Sequence, residues 1–197
     1  MGLSVTLEGR LVRLEPLRAW HEEPLWAAAQ DGRTWRYMRV RGGESRLAFR
    51  GWFEAALTDL PFAVLLSGEA VGSTSYLNVR PHDRVVEIGN TWLSPRAWGT
   101  GANDEAKLLL MEQAFEREGF LRVEFKTEAA NERSRAALLA IGATFEGIFR
   151  KHMLVRGGER RDSAWYAVID EDWPAVKAAL QTRLAARARA FGPRAGP

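Results

Sequence analysis

Two features of this chain have the residue types and spacing that chemistry needs: the run Trp92-Leu93-Ser94-Pro95-Arg96-Ala97-Trp98-Gly99-Thr100-Gly101-Ala102-Asn103 and, just before it, the strand carboxylate Glu87. The run links an apolar stretch that reads as a buried strand to a periodic stretch that reads as a helix. Glycines at 99 and 101 remove the Cβ atoms that would hold a ligand off the backbone. The first amides of the following helix have no intrahelical partner, and the helix dipole adds partial positive charge there. The combination is suited to hold an anion such as a diphosphate. A P-loop would need Gly-x-x-x-x-Gly-Lys followed by Ser or Thr, which the chain lacks. A dinucleotide fingerprint would need a third glycine and an acidic residue closing the next strand, where Lys126 and Thr127 stand instead.

The elements that must position these residues follow from hydrophobic periodicity and turn chemistry. Leu7 to Leu17 reads as an opening strand, and His21 to Asp31 and Glu44 to Asp59 as helices, the second with Leu47, Trp52, Phe53, Ala56 and Leu57 on or near one stripe. Phe62 to Leu66 and Ala70 to Val79 make a hairpin over Ser67-Gly68-Glu69, and Val85 to Leu93 continues the sheet. The pattern then changes from meander to crossover. Helix Asp104 to Glu118, ending at Gly119, carries the chain to strand Leu121 to Thr127, which lies parallel to Val85 to Leu93 in a right-handed βαβ unit. Asn131 caps a further helix that Gly142 terminates. Phe145 to Leu154 and Ser163 to Ile169 form a closing hairpin across Arg156 to Arg161, and a helix from Glu171 to about Ala190 ends the chain.

In this order of elements, Arg96-x-x-Gly99-x-Gly101-Ala102 together with Asn131-x-x-Ser134 resembles the GNAT superfamily of acetyl-CoA-dependent N-acetyltransferases, and within it the RimJ/RimL-like, ribosomal-protein N-terminal acetyltransferase-like group. The likeness runs from about Val85 to Ile169, with Glu87-Ile88-Gly89 and Arg122-Val123-Glu124 in register. It implies an α+β (mixed α/β) fold: a mostly antiparallel mixed sheet of about seven strands, helices on both faces, and one splayed parallel pair that admits the pantetheine arm. It also implies acetyl-CoA as co-substrate. Trp92 and Leu93 are then backbone partners of the arm, and Arg96, Gly99, Thr100, Gly101, Ala102 and Asn103 the phosphate cradle. Asn131 and Ser134 reach the arm from the next helix. Thr100, Asn103 and Asn131 also suit plain helix capping.

N-acetylation requires the amine to lose a proton as it attacks the thioester carbonyl and the thiolate to leave. Glu87 is the candidate base, flanked by Val86 and Ile88, whose side chains point to the other face of the strand. Many members of the family carry a tyrosine seven residues after the motif asparagine as the acid for the thiolate; here that position is Leu138. Ser134, water and unaided departure are the routes left open. Trp20, Trp26, Trp35, Tyr37 and Trp52 crowd the segment where the resemblance places the acceptor cleft, and they serve equally as core. Thr34 to Gly43 reads as a mobile loop whose Arg36, Arg39 and Arg41 favour an acceptor with negative groups. The acceptor implied by the resemblance is a protein N-terminal amine. A small amine such as an amino acid, polyamine or antibiotic is the runner-up, and a non-catalytic acyl-CoA-binding module a rival of another class.

Composition bounds these readings. The chain has 197 residues, 46% hydrophobic and 27% charged, as in an ordinary globular domain, so 1–197 is expected to be a single domain with its cofactor-binding core at about 85–169. No apolar run approaches a membrane span and no secretory signal opens the chain, so no membrane partner and a cytoplasmic location are expected. With no cysteine there is no acyl-cysteine intermediate, so acyl transfer is expected to be direct, in a ternary complex. His21, His82 and His152 lack metal spacing, so no metal is expected. The net charge is +3, and from Pro174 to Pro197 there is no acidic side chain, while Lys177, Arg183, Arg187, Arg189 and Arg194 lie there. That basic C-terminal helix, about 171–190, is a candidate contact for RNA or the ribosome. A homodimer is a further open possibility.

Overall fold

In the computed structural model, which describes residues 2–191, the stretches of period-two hydrophobicity pair into one sheet. The strands are β1 (Leu7–Glu8), β2 (Val12–Pro16), β3 (Leu60–Leu66), β4 (Glu69–Arg80), β5 (Val85–Leu93), β6 (Arg122–Glu128), β7 (Thr144–Val155) and β8 (Glu159–Ile169). Their order is β1-β2-β3-β4-β5-β6-β8-β7, and β5 with β6 is the parallel pair. The helices are α1 (Glu22–Ala28), α2 (Gly32–Trp35), α3 (Arg46–Ala56), α4 (Ala102–Glu112), α5 (Glu132–Ala140) and α6 (Trp173–Phe191). Among the described residues no helix is long and apolar enough to cross a membrane.

Eight strands rather than about seven arise because Leu7 to Leu17 is not one strand. The chain folds back between β1 and β2, and Glu105, in the first turn of α4, collects the amides of Arg10, Leu11 and Val12 at 3.0, 2.7 and 2.7 Å. The expected helix at His21 to Asp31 also breaks. A 3-10 turn, Ala19–His21, precedes α1, and Asp31 caps the separate α2 by accepting from Arg33 N. The Asp104 to Glu118 helix starts earlier and leaves α geometry at Glu112 for one π turn, Gln113–Arg117.

The sheet separates two cores. Val86, Ile88, Val123, Phe125 and Tyr166 face α4 and α6, where Leu110, Met111, Trp173 and Leu180 bury against them. Ala63 and Trp92 face the opposite way, into Leu25, Trp35, Phe49, Trp52 and Phe53 of α1–α3. Burying side chains of this size stabilises the layers by roughly 1.5–3 kcal/mol apiece. Ile88 and Trp92, of the same parity in β5, enter opposite cores because the strand carries a bulge: Ser73 and Ser75 of β4 face Trp92 and Gly89, so the extra residue lies between these, and Asn90 there has φ +49°.

Between β5 and β6 the ladder runs through Val85↔Arg122, Val86↔Val123 and Glu87↔Glu124 and stops. Beyond Glu87 the two strands part. β7, at the sheet edge, shifts register between Phe145 and Gly147 and again between Phe149 and Met153, while Ile148, Phe149 and Leu154 are exposed. α6 lies along α4: Lys177 pairs with Glu112 and Glu116 at 3.0 and 2.8 Å, and Trp173 stacks on Phe115.

Candidate active site

The parting of β5 and β6 opens a cavity of about 1100 Å³ that reaches from the loop before α4 to the β7–β8 hairpin. At one end the chain must turn sharply into α4, which Gly99 (φ +77°) and Gly101 (φ +97°) allow. A Cβ added at Gly99 would meet nothing within 4 Å, so that side of the loop is open. The amides of Gly101, Asn103 and Asp104 make no hydrogen bond among the described residues, whereas Ala102 N donates to Thr100 Oγ1 at 3.2 Å. Gly99, Gly101 and Asn103 line the cavity; Thr100 and Ala102 form a local cap behind it, with Thr100 Oγ1 donating to Ala97 O at 2.8 Å. Arg96 does not line the cavity. Its side chain is 64% exposed and pairs with Glu69.

The basic C-terminal helix has a role here that sequence did not suggest. Arg187 Nη1 donates to Gly99 O at 2.7 Å, and Asp104 Oδ2 accepts from Arg183 Nε at 2.8 Å with Arg187 Nη2 at 3.6 Å. With Lys177 also paired, three of the five basic side chains marked for RNA are ion-paired within the protein, Arg189 Nε donates to Ala185 O at 3.4 Å, and Arg194 lies outside the described residues. Trp98 forms the rim, its ring 4.0 Å from the Arg133 guanidinium and 5.2 Å from that of Arg33. Its Nε1 donates to Leu93 O at 2.8 Å, so the Leu93 carbonyl expected to meet pantetheine is engaged by an indole. The Trp92 side chain is buried among Trp35 and Trp52, at ring distances of 5.1 and 5.4 Å. Asn131 caps α5, accepting from Ser134 N at 3.2 Å, and both Asn131 and Ser134 line the cavity.

Glu87 sits where the ladder ends and is 1% exposed. Its Oε2 accepts from Asn78 Nδ2 at 2.6 Å and Lys126 Nζ at 2.8 Å, while Oε1 is buried with no partner. A Cβ at Gly89 would come within 3.0 Å of that oxygen, so the missing side chain keeps the space beside it clear. Asp59, also on the cavity wall, has its pKa raised by burial and by the Glu87 charge, against Arg39 and Lys126.

Lys107 was hidden in the α4 pattern as one more polar position. The helix turns it toward the sheet, where its Nζ donates to Thr91 Oγ1, on the cavity wall, at 2.8 Å and to the buried Thr74 Oγ1 at 3.3 Å. Burial lowers its pKa from 10.5 to about 7, with the Glu87 charge opposing. Of the aromatic residues suggested for the acceptor end, Trp35 is core, Tyr37 and Trp52 line the cavity, and Trp20 is 70% exposed. Arg39 lines the cavity, while Arg36 lies over Tyr37 and Arg41 pairs with Glu44 and Glu159.

The chain is similar to several known proteins. The acetyltransferase (GNAT) domain family matches residues 11–144. A Bacillus subtilis (strain 168) protein named "Putative ribosomal N-acetyltransferase YdaF" is 30% identical over 123 residues, which span 62% of this chain and 66% of that protein. The crystal structure of a GCN5-related N-acetyltransferase from Brucella melitensis is 36% identical with a TM-score of 0.86, covering 91% of this chain and 85% of that one. At the level of fold, Mycobacterium smegmatis RimJ in complex with CoA-disulfide superposes with a TM-score of 0.73 at 23% identity, covering 89% of this chain and 90% of that one.

Proposed function

The chain belongs to the GNAT family of acetyltransferases, and from that premise we propose that it moves an acetyl group from acetyl-CoA to a primary amine by direct attack in a ternary complex, with a protein N-terminal amine as acceptor. The observation that carries this reading is the end of the β5–β6 ladder at Glu87, with an unpartnered carboxylate oxygen beside Gly89 and an open anion cradle at the far end of the same cavity. The match to a protein named as a ribosomal N-acetyltransferase supports the choice of acceptor.

The residues fit the co-substrate. Free amides at Gly101, Asn103 and Asp104, with the α4 dipole behind them, suit a diphosphate, and Arg187 adds positive charge at the Gly99 carbonyl. The backbone of β5 beyond Glu87 offers groups that β6 does not use, as an added strand would require. Acetyl-CoA supplies the activated acyl group.

The chain's own contribution is to orient the amine, take its proton and exclude water. Glu87 is held in place through Oε2 by Asn78 and Lys126, so Oε1 is the atom left to accept the proton, directly or through one water. A nitrogen–carbon bond forms, the carbon–sulfur bond breaks, and the departing thiolate is protonated by water or by Ser134.

The test is release of CoA from acetyl-CoA by the purified protein, with peptides carrying free or blocked N-termini and with small amines. Release with free-terminus peptides and none with blocked ones is expected. Release with small amines alone would overturn the choice of acceptor, and binding of CoA without release for any amine would overturn transfer in this cavity.

A further inference from the structure

Of the arginines that line the cavity, the one buried without a counter-ion among the described residues is Arg161. Arg161, near the start of β8, is 7% exposed and forms no ion pair among the described residues. Its Nε donates to Ser163 Oγ at 3.1 Å, and Ser163, fully buried, is held in turn at 3.0 Å from His152 Nδ1. The head group is therefore fixed, and both Nη groups lack a partner among the described residues. Two neighbouring cations are paired, Lys126 with Glu87 at 2.8 Å and Arg156 with Glu128 and Glu159 at 2.9 Å each, and a third, Arg39, is exposed.

Charges act on Arg161 from every side. Glu128 and Glu87 attract it but already serve Arg156 and Lys126, while Arg156 and Arg39 repel it. Burial lowers its pKa, yet a guanidinium remains charged at any pH in the working range. A fixed, buried charge with no partner is costly to keep. A planar fork with two free Nη groups matches a carboxylate, which it binds through two parallel hydrogen bonds. The same cavity carries the carboxylates of Glu87 and Asp59 for a cationic or proton-losing amine, so its wall has opposite charges at separate places.

We propose that Arg161 is the counter-ion for a carboxylate carried by the acceptor, so that the molecule acetylated has an anionic group besides its amine, on the side of the β7–β8 hairpin. This rests on the reading that the acceptor amine enters this cavity. The carboxylate belongs either to a free amino acid or to an acidic residue close behind a peptide N-terminus.

The experiment compares matched acceptors in one enzyme preparation: leucine against leucinamide for the first source, and the peptide amides Ser-Ala-Glu against Ser-Ala-Gln for the second. In the wild type the acid member of at least one pair is expected to exceed its amide in kcat/KM by about a hundredfold or more. In Arg161→Gln the ratio should fall to about one while CoA affinity is unchanged, and Arg161→Lys should lie between. Such ratios do not depend on how much of a variant folds. Equal rates for acid and amide in both pairs, or a ratio that survives Arg161→Gln, would overturn the proposal. If no amine releases CoA, transfer in this cavity fails, and the carboxylate site is then read by calorimetry on the CoA-loaded protein. Heat from an acid member but not its amide, lost in Arg161→Gln, would support it, and no difference would overturn it.

Discussion

Replacing Lys107 by methionine should stabilise the protein at neutral pH and lose that advantage in alkali. The amine is buried and held at a pKa of about 7, against 10.5 when free. That difference corresponds to about 5 kcal/mol at roughly 1.4 kcal/mol per unit. The folded pKa lies below the unfolded one, so between pH 7 and 10.5 the unfolded chain binds the extra proton. Wild-type stability must therefore climb through this window and be lost as the pH falls toward 7. Methionine fills the same space with no charge to bury. Thr74 and Thr91 keep each other at 2.8 Å, but their bonds to Nζ are lost, which costs about 1–2 kcal/mol. The net gain at pH 7 is then about 3 kcal/mol, or about 6 to 12 °C in Tm for a chain of this size. Urea unfolding of both proteins from pH 6 to 10.5 measures it: the gap should be full at pH 6 to 7 and close, or slightly reverse, above pH 10. A gap that does not change with pH, or a variant less stable throughout, would refute the claim that burial sets the charge of Lys107.

Glu87→Gln should lower kcat by about 10²- to 10⁴-fold while leaving acetyl-CoA affinity near wild type, and steady-state kinetics showing an unchanged kcat would remove the carboxylate from proton transfer. Gly99→Ala adds a methyl that touches nothing in the fold, at a backbone penalty of about 1–2 kcal/mol, so calorimetry should show weakened CoA binding with a Tm loss of only a few degrees. Gly101→Val is the harsher change: its Cβ would already lie 3.2 Å from Leu11 and 3.4 Å from Leu184, so folding itself should suffer, as a thermal melt would show. Arg187→Ala should weaken CoA binding several-fold and make it less salt-dependent; identical titrations at low and high salt would show that this side chain only docks α6.

The run from β5 through the loop to β6 was legible because its signals are local. The strand Val85–Leu93 has the bounds its apolar pattern suggests, and paired glycines before a periodic helix identify the turn. What escaped depends on distant partners. Glu105 divides the opening strand by reaching amides about 95 positions away. Arg96 has a plausible place in the motif, yet Glu69 from the neighbouring hairpin draws it outward. Lys107 and Arg161 look like surface charges in sequence, since a helix face or a strand parity cannot be assigned a cavity until the sheet has parted. The bulge at Asn90 is of the same kind: it exists only in register with β4, and it decides that Thr91 meets Lys107 while Trp92 joins the opposite core.

The outermost strand, β7, leaves Phe149 and Leu154 bare at the rim of the sheet, an arrangement that invites one molecule to zip onto another. Its two slips in register break the row of free backbone donors and acceptors into short pieces that no straight intruding strand can match. The protein can therefore keep greasy side chains at its border without templating its own aggregation.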